Sequence, residues 1–106
     1  MPKRHHALTW TGPALQNLLE ITQYIKADNP EAARRFGKKI KEKVSRLARF
    51  PYSGRFVPEF PASGLREVIV SDYRIIYRVV SAKQQVEILT VRHGAQLLES
   101  EGAKTN

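Results

Sequence analysis

The sequence predicts an α+β fold: an N-terminal strand, then an antiparallel helical hairpin packed on one face of a twisted antiparallel sheet. Three observations carry that prediction. Two amphipathic helical stretches are separated only by Asp28-Asn29-Pro30-Glu31. A proline-rich segment follows that suits neither a helix nor a central strand. Three runs rich in β-branched and aromatic residues then close the chain. At 106 residues this is a single domain, residues 1–106, with residues 1–6 and 101–106 expected to fray.

Ala7 to Thr11 (ALTWT) alternates so that Leu8 and Trp10 share a face, as in a short strand. Thr11 stands where a helix N-cap belongs, because Gly12-Pro13 follows and proline suits the first helical turn. Ala14, Leu15, Leu18, Leu19, Ile21 and Ile25 then recur at three- and four-residue steps and form the apolar stripe of a first helix. Asn29 can cap a second helix, Pro30 pre-sets its first turn, and Glu31 complements the positive end of its dipole. Ala32, Ala33, Phe36, Ile40, Val44, Leu47 and Ala48 form the second stripe. So short a connection makes the two helices an antiparallel hairpin.

Phe50 to Gly64 holds three prolines and two glycines and reads as an irregular connection. Its aromatics, Phe50, Tyr52, Phe56 and Phe60, imply a loop packed onto the domain. Leu65 to Val70, Tyr73 to Val80 and Val86 to Arg92 are the strands. Turns at Ser71-Asp72 and Ser81 to Gln85 make them antiparallel neighbours. In the middle strand, alternation turns Tyr73, Ile75, Tyr77 and Val79 toward the helices and Arg74, Ile76, Arg78 and Val80 away from them. His93-Gly94-Ala95 ends the sheet, and Gln96 to Ser100 is expected to form a helical turn.

The charge is one-sided. Eighteen Lys plus Arg against ten Asp plus Glu leave a formal +8, which points to an anionic partner, nucleic acid or an acidic protein. Much of it lies on the second helix: Arg34, Arg35, Lys38, Lys39, Lys41, Lys43, Arg46 and Arg49, opposed only by Glu31 and Glu42. The absence of cysteine excludes disulfides and Cys-based zinc sites and fits a reducing compartment. No apolar run approaches the length of a membrane span. The basic start, Met1 to His6, leads into no apolar signal region, and His5-His6 reads as a solvated arm rather than a ligand pair. A cytoplasmic protein with no membrane partner, no metal and no cofactor is expected.

Glycine-rich phosphate loops, HExxH and G-x-S-x-G are missing, and no close pair of acids is expected in a pocket. The distinctive set is Arg55, Arg66, Arg74, Arg78 and Arg92, with His93 following. Arg74 and Arg78 share a strand face about 13 Å apart, a spacing that can address two phosphates or two carboxylates. Each also has a structural reading. Arg74 can pair with Glu87 or Asp72, and Arg78 sits near a strand end where exposure is common. Arg66 and Glu67 point to opposite faces, and Tyr73 and Tyr77 read as core. His93 can act as an acid or base near neutral pH or serve structurally.

The runs LTWTGPALQNLLEITQYI, NPEAARRF, FPYSGR, LREVIVSDYRIIYRV and VEILTVRHGAQLL occur in that order over residues 8 to 99. In this the chain resembles the RelE/ParE superfamily of bacterial type II toxins. The resemblance implies a small toxin neutralised by a cognate acidic antitoxin, with operator DNA bound through the antitoxin complex. It also implies one of two activities. A RelE-like member is a ribosome-dependent mRNA endonuclease using basic side chains on the sheet, and for this branch the matching positions are Arg74, Arg66 and His93. Val68 and the tyrosine-free Gly94-Ala95-Gln96 depart from that branch. A ParE-like member poisons DNA gyrase without hydrolysis, and FPYSGR and VRHGAQLL look more like this branch. In either case Arg55, Arg66, Arg74, Arg78 and Arg92 are the expected binding residues. A plain basic nucleic-acid binder, working through Arg34 to Arg49, is the third reading.

Overall fold

The computed structural model describes residues 5–95 and 98. Its elements run β1 (Ala7–Trp10), α1 (Gly12–Asp28), α2 (Pro30–Arg49), β2 (Arg55–Phe56), β3 (Arg66–Val70), β4 (Tyr73–Val80), a 3₁₀ turn (Ser81–Lys83) and β5 (Gln85–His93). The expected helical turn at 96–100 falls largely outside the described residues. The chain is tied down from His6 onward, whose N–H donates to the Ala48 carbonyl at 2.7 Å. His6 is therefore half-buried rather than part of a solvated arm.

Local chemistry accounts for the hairpin. Thr11 Oγ1 accepts from the Ala14 N–H and donates to the Ile88 carbonyl at 2.8 Å, so one hydroxyl caps α1 and fastens it to β5. Asn29 serves both helices. Its N–H closes α1 on the Ile25 carbonyl at 2.8 Å, and its Oδ1 accepts from the Ala32 N–H to open α2. A one-residue joint leaves the helices no arrangement but antiparallel.

The sheet order is β1-β5-β4-β3-β2, and the pairs among β2, β3, β4 and β5 are antiparallel as expected. The sheet as a whole is mixed rather than antiparallel, because β1 pairs in parallel with β5, Leu8 opposite Val86 and Trp10 opposite Ile88. The first and last strands thus lie side by side, and alternation within four residues carries no information about direction. The proline-rich segment also contains a two-residue strand, with Arg55 opposite Glu67 and Phe56 opposite Arg66.

Cross-strand partners share a face, so the register fixes the inner layer. Tyr73 stands opposite His93, Ile75 opposite Val91, Tyr77 opposite Ile88 and Val79 opposite Val86. Between Ile76 and Tyr77 the register slips by one, leaving an extra residue at Leu89 on β5. That bulge is why the inward positions of β5 change from even (Val86, Ile88) to odd (Val91). The Asn17 side chain of α1 meets the bulge, its Oδ1 accepting from Thr90 Oγ1 at 2.8 Å and from the Val91 N–H at 3.2 Å.

Phe36, Ile40, Val44 and Leu47 of α2 are buried against this layer, each contributing on the order of 1.5–3 kcal/mol. From α1 only Ala14 is fully buried, while Leu15 and Leu19 are each 51% exposed. At the far end, the buried Tyr77 hydroxyl accepts from the Gly54 N–H and donates to the Pro51 carbonyl, both at 2.8 Å. Burial raises its pKa, so it stays a donor. A Cβ at Gly54 would sit 2.5 Å from that oxygen, so this approach of loop to sheet admits only glycine.

Tyr77→Phe keeps the ring and removes only the two loop hydrogen bonds, stranding Gly54 and Pro51. Urea unfolding should show a loss of about 1–3 kcal/mol. A loss below about 0.5 kcal/mol would mean that the loop is held by something else.

Candidate functional site

The register divides the arginines singled out in the sequence between the two faces of the sheet. Arg66 lies opposite Tyr77 and Phe56, and His93 opposite Tyr73, so both belong to the helix side. Arg55, Arg74, Arg78 and Arg92 belong to the other side: Arg55 faces Glu67, Arg74 faces Ile69 and Arg92, and Arg78 faces Glu87.

On that outer side Arg74 is 4% exposed and fully engaged. Its two terminal nitrogens make a bidentate pair with Glu59, each at 2.7 Å. Its Nε donates to Glu67 Oε1, also at 2.7 Å. Glu67 is 1% exposed and gives its second oxygen to Arg55, whose Nε and terminal nitrogen approach to 2.7 and 2.6 Å. Four alternating charges, Arg55–Glu67–Arg74–Glu59, thus run across the sheet into the loop. Glu59 also accepts from the Leu98 N–H at 3.1 Å. The Arg74 hydrogen bonds hold the Glu59 carboxyl down at about 2, against a desolvation that opposes them. Arg74 is held the more firmly protonated, with Glu59 the larger cause.

The expected partners of Arg74, Glu87 or Asp72, are therefore replaced by Glu59 and Glu67. Glu87 pairs instead with Arg78 at 2.7 Å, on an exposed site where such a pair contributes little. Arg74 and Arg78 do share a face, but one is buried and the other open to solvent, so they do not present a matched pair of cations. Arg92 and the exposed His93 line a cleft with Asn17, Glu20, Ile21 and Tyr73. The His93 ring packs edge-on against Tyr73, and its Nδ1 accepts from the Ala95 N–H.

Arg66 occupies a different setting. Its guanidinium donates to the Gly54 carbonyl at 2.8 Å and to the Tyr52 carbonyl at 3.1 Å. It lies over the Phe56 ring at 4.2 Å and near the Tyr52 ring at 5.3 Å. Tyr52 and Phe56, 54% and 50% exposed, make an aromatic platform centred on this cation, and the exposed Phe50 lies instead under Arg49. Arg66 and His93 are separated by four residues along β4, about 13 Å, and lie on its opposite neighbours. No single substrate atom reaches both.

A second surface lies between the helices and β1. Leu8, Trp10, Leu15, Leu18, Ile40 and Val44 line an apolar groove of about 280 Å³, continued by the exposed Leu19 of α1. The sequence reading missed Glu59 and Glu67 as the partners of Arg74. It noted the loop aromatics but did not bring them to Arg66. A signal was available for the latter, four aromatics crowded into a loop that precedes an arginine-bearing strand.

The family model of the ParE toxin of type II toxin–antitoxin systems, parDE, matches residues 8–98. Y4kP of Sinorhizobium fredii, a protein named as a candidate toxin, is 41% identical over 91 residues, which cover 84% of this chain and 88% of that one. Toxin RelE2 of Caulobacter vibrioides is 37% identical over 91 residues, 85% of this chain and 97% of its own. Among solved structures, the chromosomal ParDE toxin–antitoxin system of P. aeruginosa superposes with a TM-score of 0.70 at 22% identity, covering 86% of this chain and 98% of that one.

The Glu59 carboxylate makes acid stability testable. Its folded pKa lies below its ordinary value, so its stabilisation is complete above about 4.5 and is lost as pH falls toward about 2. Glu59→Gln should lower the urea midpoint clearly at neutral pH, and the gap from the parent should narrow as pH drops through that window. A gap that stays constant with pH would show that the ion pair is not its source.

Proposed function

Because the chain belongs to the ParE toxin family of type II toxin–antitoxin systems, we propose that it is a ParE-like poison of DNA gyrase, held inactive by a cognate acidic antitoxin. The observation that carries the choice of target is the engagement of Arg74. A ribonuclease needs a cation free to take up developing phosphate charge, with an acid or base within reach of the same atoms. Arg74 is the strand arginine best matched to that duty, and it is committed to two carboxylates inside the fold. Arg66 is half-occupied by backbone carbonyls, and His93 stands about 13 Å further along the strand.

What this chain offers instead is contact chemistry. Exposed Tyr52 and Phe56 around Arg66 have the composition of a protein-binding hot spot, in which aromatic and arginine side chains dominate affinity. They are the proposed gyrase contact. The apolar groove beside α1 suits an amphipathic antitoxin segment, and a net charge of +8 favours an acidic one. Contact with operator DNA would then run through the antitoxin.

The test is a gyrase assay with supercoiled plasmid, ATP and the purified chain, scored for linear DNA after denaturation. Linear product should require both proteins, persist in His93→Ala, and fall about tenfold or more in Phe56→Ala. If active gyrase gives no linear product while mRNA on programmed ribosomes is cut, the proposal fails and the endonuclease reading replaces it.

A further inference from the structure

The solvent-facing pole of α2 differs chemically from both surfaces described above. Arg35, Lys38, Lys39, Arg46 and Arg49 fall at i, i+3, i+4, i+11 and i+14, one stripe along the helix. It points away from the buried Phe36, Ile40, Val44 and Leu47, and on one flank Lys39, Glu42 and Arg46 border a cleft with Ile69, Val70 and Ser71. All five cations are exposed. Among the described residues, the only basic side chain of α2 in an ion pair is Arg34, with Glu31 at 2.8 Å. Glu42, at i+7, is the single acid among the five. Like charges at i, i+3 and i, i+4, such as Arg35 with Lys38 and Lys39, weaken a helix. An ordinary solvated face avoids this by mixing signs. This stripe keeps the repulsion.

Its composition also narrows the partner. No aliphatic or aromatic side chain interrupts the stripe, whereas the centre of a protein interface is depleted in charge and anchored by such residues. Single-stranded nucleic acid is gripped by stacking on successive aromatics, and along this stripe only Phe50, under Arg49 at one end, offers a ring. A straight row of cations without anchors matches an array of phosphates on a rigid support. The distance from Arg35 to Arg49 is 14 helical steps, about 21 Å at 1.5 Å per residue. That length runs beside about six nucleotide steps of one strand at 3.4 Å each. We infer that the outer face of α2 binds the phosphate backbone of duplex DNA, without sequence preference. This contact is independent of the toxin's target and of the groove assigned to the antitoxin.

The experiment is fluorescence anisotropy of the full chain with labelled duplexes of about twenty base pairs, in two unrelated sequences, between about 50 and 200 mM salt. Both duplexes should give the same affinity. The slope of log K against log salt should be about −4.5, from about 0.9 for each of the phosphates neutralised by the five cations. The triple variant Arg35→Gln, Lys39→Gln, Arg46→Gln should flatten that slope by about 2.7. Removing two charges elsewhere, with Lys26→Gln and Lys83→Gln, should leave it unchanged. Arg35→Lys with Arg46→Lys should keep the parental slope, since phosphates read charge here. A triple variant with the parental slope, no binding at about 50 mM salt, or tighter binding to the single strand than to the duplex would each overturn the assignment. Should the triple variant fail to fold, the parent's own salt slope and its duplex-over-single-strand preference still decide.

Discussion

An arginine buried near the start of the central strand constrains much of what surrounds it. A guanidinium does not shed its proton in a protein, so burying Arg74 to 4% exposure obliges the chain to supply anions. Glu67 comes from the neighbouring strand, and Glu59 comes from the loop after β2. Meeting that demand decides where the loop goes. It folds back over the face of the sheet that the helices leave open, and Val57, Glu67 and Ile76 are buried along with it. Removing one partner from such a set costs on the order of 3–5 kcal/mol, because the remaining charge stays buried without compensation. The Leu98 N–H donates to the same carboxylate.

That constraint bears directly on chemistry. A cation that holds a loop against a sheet has given its hydrogen-bonding capacity to the fold and has little left for a substrate phosphate. The remaining cations are dispersed: Arg66 over aromatics at one end of the sheet, Arg92 beside His93 at the other, and Arg78 in an exposed pair. Catalytic sets work because their members converge within hydrogen-bonding reach of one atom. Dispersed cations beside exposed apolar side chains are instead suited to surfaces that dock.

Much of the fold was legible because local rules agreed with one another. Thr11 and Asn29 cap the helices they were expected to cap, and the alternation in β4 assigns its two faces correctly, with Tyr73 and Tyr77 toward the helices, although Arg74 and Ile76 on the other face are buried as well. What escaped depends on long-range geometry. Four residues of β1 alternate identically whether the strand runs parallel or antiparallel, so the mixed sheet had no local signal. The bulge at Leu89 shifts the phase of β5 midway, and uninterrupted alternation cannot show where a strand changes phase. Arg74 was matched against acids near it in sequence or across a hairpin. Glu59 lies 15 residues away in an irregular loop, where no periodicity predicts what it will meet.

The two helices of the hairpin depart from the behaviour of a free monomer in opposite ways. Helix α1 buries only Ala14 fully and leaves Leu15 and Leu19 half in water, which forgoes hydrophobic stabilisation that a small turn toward the core would recover. Helix α2 buries Ala33, Phe36, Ile40, Val44 and Leu47, yet carries on its solvent side a run of like charges broken only by Glu42. Neither arrangement is required by the core, since the same inner layer could be covered by an α1 with polar outer residues and an α2 with mixed charges. Each is relieved only when something else is bound, and the kind of relief differs. Exposed leucines are satisfied by another apolar surface, and unopposed cations by a polyanion. The two surfaces lie on different sides of the hairpin, the apolar one between both helices and β1 and the basic one on the outside of α2.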